Sequence, residues 1–168
     1  VHIVIRPKVQ FVERERERER EIRAVQGKTA RNKGGKMPAI YEPCRDGKLD
    51  EVRAALARGG DVNDKDSTYG QTALMWAVFT GHNSIAKLLL EQPAVKVNEK
   101  SNHFGETALH CAVLSNNAEG ARMLLLHPGF NSPNSTNNSG KTGLMIPVIG
   151  RRKEVLFELV KLESHFCV

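Results

Sequence analysis

The sequence predicts an all-α solenoid of about four helix-turn-helix units stacked side by side, with a basic tail ahead of them. Three observations predict it: a motif recurring at fixed spacing, paired apolar stretches inside each spacing, and turn-rich connectors between them. The motif is Gly-x-Thr-small-Leu. It occurs as Gly70-Gln71-Thr72-Ala73-Leu74, Gly105-Glu106-Thr107-Ala108-Leu109 and Gly140-Lys141-Thr142-Gly143-Leu144, 35 residues apart each time. Ala77 and Ala112 share a phase, as do Asn83 and Ala118 ahead of the apolar stretches 85–90 and 121–126. A partial earlier copy runs from Ala39 through Gly47, Leu49, Val52 and Leu56 to Asp61-Val62-Asn63. Units are expected over residues 37–65, 66–98, 99–134 and 135–168, after a tail of residues 1–36.

The tail comes first. The chain carries a net charge of +6, with 25 Lys and Arg against 19 Asp and Glu. Residues 1–36 hold 11 of the basic and 5 of the acidic side chains, so the remainder is neutral. Residues 13–21 alternate strictly between Glu and Arg, which on a helix sets like charges four apart and opposite charges three apart, and the pair terms largely cancel. Gly27 and the Lys, Thr and Asn residues that follow, to Lys36, add scarcely an apolar side chain. The segment is expected to be disordered, because it buries too little surface to offset the entropy of ordering. Glu/Arg alternation is also what a GA dinucleotide tract encodes, and with Val1 at the start it fits a gene fragment or extended gene model. A charged docking segment is the alternative reading. Salt-dependent binding of nucleic acid would have to come from this tail, because the neutral array has no electrostatic footprint for it.

Within the second unit, Thr72 precedes Ala73-Leu74-Met75-Trp76-Ala77-Val78, and its hydroxyl can accept an orphan backbone N–H, so the first helix, helix A, starts there. Gly81 can take positive φ at the end of helix A, and His82-Asn83-Ser84 starts helix B, expected over about residues 84–91. Ile85, Leu88, Leu89 and Leu90 form a stripe too wide for solvent on a helix too short to fold alone, so a neighbouring unit must cover it. Between units the chain is turn-rich, around Val97-Asn98 and again from Asn102 to the next Gly, and doubles back as an extended finger.

These residues resemble the ankyrin-repeat family, whose units carry Gly-x-Thr-Pro-Leu-His, then Ala-Ala, Gly-His, Leu-Leu and a closing Asp-Val-Asn. The resemblance implies paired antiparallel helices, β-hairpin fingers projecting at about a right angle, and a concave surface of fingers and helix A that binds other proteins. Departures concern the outer units. Pro43 and Pro147 stand at the phase of Ala77 and Ala112, where an interior helix proline costs roughly 3 kcal/mol, so both outer units are expected to be looser. Gly143 replaces Ala, and Phe157 breaks the phase of the last apolar stretch. With Phe157, Leu162 and Phe166 near the end, the fourth unit is truncated, degenerate or covered by something outside the chain; the residues leave the three open.

Chemistry finds no anchor. Gly140-Lys141-Thr142 and Gly27-Lys28-Thr29 resemble the end of a phosphate-binding loop, but the glycine that motif requires is Ser135 or Ile22 here. No nucleophile elbow or Cys/His ligand set occurs, so no cofactor, metal, small-molecule substrate or catalytic group is expected. Cys44, Cys111 and Cys167 are too few for a disulfide framework and point to reduced thiols in an intracellular setting, cytoplasmic or nuclear. No apolar run approaches the roughly 18–20 residues of a membrane span, and residues 1–5 are too short for a signal-peptide core. His110 follows Thr107-Ala108-Leu109, and the resemblance implies a structural imidazole tying Thr107 to neighbouring backbone. His82 matches the family's Gly-His turn. Cys111 shares a phase with Trp76 and Ile146 and is expected to be a small buried apolar group. Asn134-Ser135-Thr136 and Asn137-Asn138-Ser139 satisfy a glycosylation sequon and are read as finger turns.

The resemblance implies contact positions just before the repeated Gly, just after it, and at the last two positions of helix A. These are Thr68, Tyr69, Gln71, Phe79 and Thr80 in the second unit, and His103, Phe104, Glu106, Leu114 and Ser115 in the third. In the fourth they are Asn138, Ser139, Lys141 and Ile149. Large aromatics at such positions are typical anchors of an interface. The other reading of Tyr69 and Phe104 is packing against adjacent fingers. The functional expectation is a non-catalytic scaffold or adaptor that binds a protein partner, or else the targeting part of a longer enzyme, channel or ubiquitin-ligase receptor.

Overall fold

A computed structural model describes residues 39–145. All of them belong to the second of the two units into which the chain divides, residues 37–168. The expectations for the tail, for Gly27-Lys28-Thr29, and for Ile146, Pro147, Ile149, Phe157, Leu162, Phe166 and Cys167 lie outside the described residues. Among those described, six helices form three pairs: α1 (Tyr41–Arg45) with α2 (Leu49–Ala57), α3 (Ala73–Phe79) with α4 (Asn83–Leu90), and α5 (Ala108–Leu114) with α6 (Ala118–Leu126). A 3-10 turn, Gly143–Met145, follows at the phase where α3 and α5 begin. The longest of these helices has 9 residues. That is below the ~12–15 at which an isolated helix holds in water, so packing between units supplies the stability.

Local signals set the helix ends. Thr72 has extended backbone, and its hydroxyl accepts the Met75 N–H at 3.3 Å. Thr142 repeats this bond to Met145 N at 3.3 Å. At Thr107 the backbone N–H donates to His110 Nδ1 at 3.2 Å, closing the reciprocal arm of a capping box. Helix A ends in a left-handed residue each time: Gly47 at φ 76°, Gly81 at 80° and, at the same phase, Asn116 at 56°. The next N–H then reaches five residues back, Lys48 to Pro43 O at 2.9 Å, His82 to Ala77 O at 2.8 Å and Asn117 to Ala112 O at 2.8 Å. These bonds satisfy carbonyls that the helix end leaves orphaned.

Pro43 does not incur the expected penalty. The first helix A begins at Tyr41, two residues later than the phase of Ala73 predicts, so Pro43 falls in its first turn. There the missing N–H has no intrahelical partner to lose. The cost appears as length, five residues against seven in α3 and α5. Helix α4 starts at Asn83, one residue earlier than expected, and ends at Leu90.

The helices A and the 3-10 turn pack in one row, and the helices B in a second row against them. Cys44, Ala77 and Ala112 are fully buried in that first row, where small side chains let neighbouring helices approach. Leu74, Leu109, Ile85, Leu89 and Leu124 fill the space between units. Each such side chain contributes about 1.5–3 kcal/mol by leaving water.

The fingers are hairpin turns, the first and last closed by single antiparallel bridges, Lys65 with Thr72 and Thr136 with Thr142, with no longer strand among the described residues. Their lengths differ. The N–H of Asp66 bonds Gln71 O and that of Ser101 bonds Glu106 O, whereas Asn137 bonds Lys141 O, so the last finger is one residue tighter.

Polar clamps repeat along the array. Asn63 donates from Nδ2 to Ala94 O at 2.8 Å and accepts from Lys96 N at 2.8 Å. One unit on, Asn98 donates to Gly129 O at 2.7 Å and accepts from Asn131 N at 3.2 Å. Lys65 Nζ donates to Lys100 O at 3.0 Å, and Lys100 Nζ to Thr136 O at 2.7 Å. Adjacent fingers are joined directly by His103 N to Tyr69 O at 3.1 Å and Asn138 N to Phe104 O at 2.9 Å. The repeated Gly is required twice over: Gly70 and Gly105 have φ of 63° and 65°, and a Cβ on either would overlap the side chain of Asn102 or Asn138.

Candidate functional site

The expected contact positions fall into three groups. Gln71 is 0% exposed and Glu106 is 2% exposed, so the position just after the repeated Gly is enclosed rather than offered to a partner. This corrects the expectation for both residues. The left-handed glycine turns the chain back toward the helices, and the following side chain enters the stack.

Tyr69 and Phe104 form the second group. Tyr69 is buried, and its ring stacks on Phe104 with centroids 5.7 Å apart and planes at 26°. His103 meets both rings edge-on, at 6.2 Å from Tyr69 and 5.0 Å from Phe104. These aromatics therefore pack finger against finger. His103 itself is exposed and Phe104 half-buried.

The third group is the end of helix A. Phe79 and Leu114 are repeat equivalents, both half-buried, and Phe79 meets the Trp76 ring at 6.4 Å with planes at 90°. Thr80 and Ser115 commit their hydroxyls to their own helix, Thr80 to Trp76 O at 2.8 Å and Ser115 to Cys111 O at 3.0 Å. Thr68 is exposed at the finger tip. In the fourth unit Asn138 and Ser139 are exposed and Lys141 is half-buried. Asn137 sits inside that finger and accepts from Ser139 N at 3.0 Å and Lys141 N at 3.1 Å, a turn geometry typical of Asn.

Sequence reasoning missed the group that ties finger to helix. Asp66 is buried, and its carboxylate accepts four N–H groups. These are Thr68 N at 2.9 Å, Tyr69 N at 2.6 Å, Gln71 N at 2.8 Å and Trp76 Nε1 at 3.0 Å. A carboxylate so furnished satisfies itself without a counter-ion. Its signal was an Asp four residues ahead of a repeated Gly, a residue type that bonds its own turn. Asn63 and Asn98 were visible as unit-closing residues, but their clamping role was not.

Two histidines take structural parts. His110 is buried, lies 2.8 Å from Thr107 Oγ1, and places Nε2 2.9 Å from Lys141 O, joining two units. His82 Nε2 lies 3.2 Å from Arg45 O. Burial pushes the Cys44 thiol up to about 12, which leaves it protonated and unreactive near neutrality. Cys111 is also buried. Burial, then the carboxylates of Glu42, Asp64 and Asp66, raise the Tyr41 phenol. The hydrogen bond from Lys65, at 2.8 Å, holds Glu99 below the ordinary carboxylate value.

The family model for ankyrin repeats, in three copies, matches residues 22–101 and 39–137. The chain belongs to the ankyrin-repeat family. Ankyrin repeats are generally protein-interaction modules and typically non-catalytic. Among curated proteins, the chain is similar to acyl-CoA-binding domain-containing protein 2 of Arabidopsis thaliana, 38% identical over 59 residues. That match covers 35% of this chain and 16% of the relative. Among the described residues, no helix of this ankyrin array is long and apolar enough to cross a membrane.

Proposed function

We propose that the array is a non-catalytic scaffold or adaptor that holds an intracellular protein partner along its fingers and helix A ends. One observation carries this reading. After packing has claimed Gln71, Glu106 and most of Tyr69, the repeat-equivalent Phe79 and Leu114 remain partly accessible, with Thr68 and His103 exposed at the finger tips. Apolar side chains left open at matched positions, on a framework tied at every unit boundary, suit binding with little reorganisation.

The test is affinity capture followed by mass spectrometry, comparing the chain with folded variants Phe79→Ala, Leu114→Ala and His103→Ala. Capture of the principal partner should fall with these and persist with Arg53→Ala on helix α2. Equal capture by all four would refute the location. Tyr69→Ala and Phe104→Ala are poorer probes, because they also remove finger packing.

A second reading, that the array targets a longer protein, is supported by the similarity to a relative of which it spans 16%. Transcript sequencing through both ends distinguishes the two.

A further inference from the structure

Resting on that location, we infer that the surface takes an uncharged, apolar segment of its partner, and that ion pairs contribute little to its affinity. In the second and third units the accessible contact side chains are Thr68, Phe79, His103, Phe104 and Leu114, together with the rim of Tyr69, and none of these is a carboxylate, an ammonium or a guanidinium. The half-buried Lys141 belongs to the fourth finger, beyond this pair of units.

Nearby charges are already committed within the fold. Asp66 accepts four N–H groups and Glu106 is buried. The Lys65 ammonium is held by Glu99 at 2.8 Å and by Lys100 O at 3.0 Å, and that of Lys100 by Thr136 O at 2.7 Å. The hydroxyls of Thr80 and Ser115 are spent on helix carbonyls. A partner charge buried against Phe79 and Leu114 would lose its hydration and find no uncommitted counter-charge among the described contact side chains of these two units, a strongly unfavourable exchange. Complementarity therefore selects apolar side chains, with the finger-tip imidazole and hydroxyl supplying polar contacts at the edge.

The experiment is selection from a phage-displayed library of random peptides against the full chain, followed by fluorescence anisotropy of the recovered peptides. The expected peptides have apolar centres. Their Kd should move less than about twofold over a tenfold rise in salt. Phe79→Ala combined with Leu114→Ala should weaken them about tenfold, with the fold verified by circular dichroism, which is about 1.4 kcal/mol.

Peptides that depend on Phe79 and Leu114 but carry central charges and weaken steeply with salt would overturn this inference and leave the location standing. Recovered peptides indifferent to both substitutions would overturn the location itself. Failure to recover any peptide above an inert folded control counts against both.

Discussion

Replacing Asp66 by Asn should damage the array far more than its chemical modesty suggests. The amide oxygen, placed as Oδ1, can still accept Thr68 N at 2.9 Å and Tyr69 N at 2.6 Å. The new NH2 then faces two donors, Gln71 N at 2.8 Å and Trp76 Nε1 at 3.0 Å, where the carboxylate Oδ2 had accepted both. Two charge-assisted bonds are lost and two buried donors are orphaned, at about 1.5–3 kcal/mol each, or roughly 3–6 kcal/mol in total. Small domains unfold with about 5–15 kcal/mol, so the loss is a large share. With a urea slope of about 1–3 kcal/mol per molar, the midpoint should fall by more than about 1 M. Far-UV circular dichroism is the assay, because the control Trp76→Phe removes the chain's 1 tryptophan and with it the fluorescence signal. In a double-mutant cycle Asp66→Asn and Trp76→Phe should couple by about 1.5 kcal/mol or more, since the second change removes one of the stranded donors. Effects that add within about 0.5 kcal/mol would refute the claim that this bond ties finger to helix.

Three further outcomes are expected. Asn63→Ala and Asn98→Ala should each destabilise by about 1–2 kcal/mol in urea unfolding, because each removes two inter-unit bonds; costs within error of zero would make the clamps ornamental. Asn116→Gly should stabilise by a few tenths to about 1 kcal/mol and Asn116→Val should destabilise, because φ is 56° there; the reverse order in thermal melts would contradict the left-handed assignment. The Cys44 thiol ionises later in the fold than its ordinary value of 9.0, so its contribution is complete below pH 9 and drains away as pH rises toward about 12. Urea titrations above pH 9 should therefore lose up to about 1.4 kcal/mol per pH unit from this group, a slope that Cys44→Ala should reduce.

The helix pairs were legible because their signals are local: Thr72 beside the bonds it caps, Gly81 at the turn it permits, and a stripe such as Ile85 to Leu89 within a few residues. The fixed spacing then extended one unit's reading to its neighbours. What was not legible depends on direction or distance. Gln71 and Glu106 look like finger residues by position, yet the side chain after a left-handed glycine points into the stack, and polarity alone gave no warning. Pro43 was placed correctly by phase but not by helix start, since a helix can begin late and convert an interior proline into a first-turn one. Lys65 reaches the side chains of Glu99 and Asn102 as well as Lys100 O. The partners of Asn63, Asn98 and Lys100 lie a whole unit downstream and are main-chain atoms, so no feature of the partner's side chain could announce them.

That choice of target has a consequence for how such a chain changes over time. Peptide groups are common to every residue, so a neighbour gripped by its main chain can replace its outward side chains without loosening the grip. The joints between units thus rest in part on atoms that the displayed face does not use, although the stacked Tyr69 and Phe104 serve both. Exchanging one middle unit for the other should preserve assembly while rewriting what the array recognises.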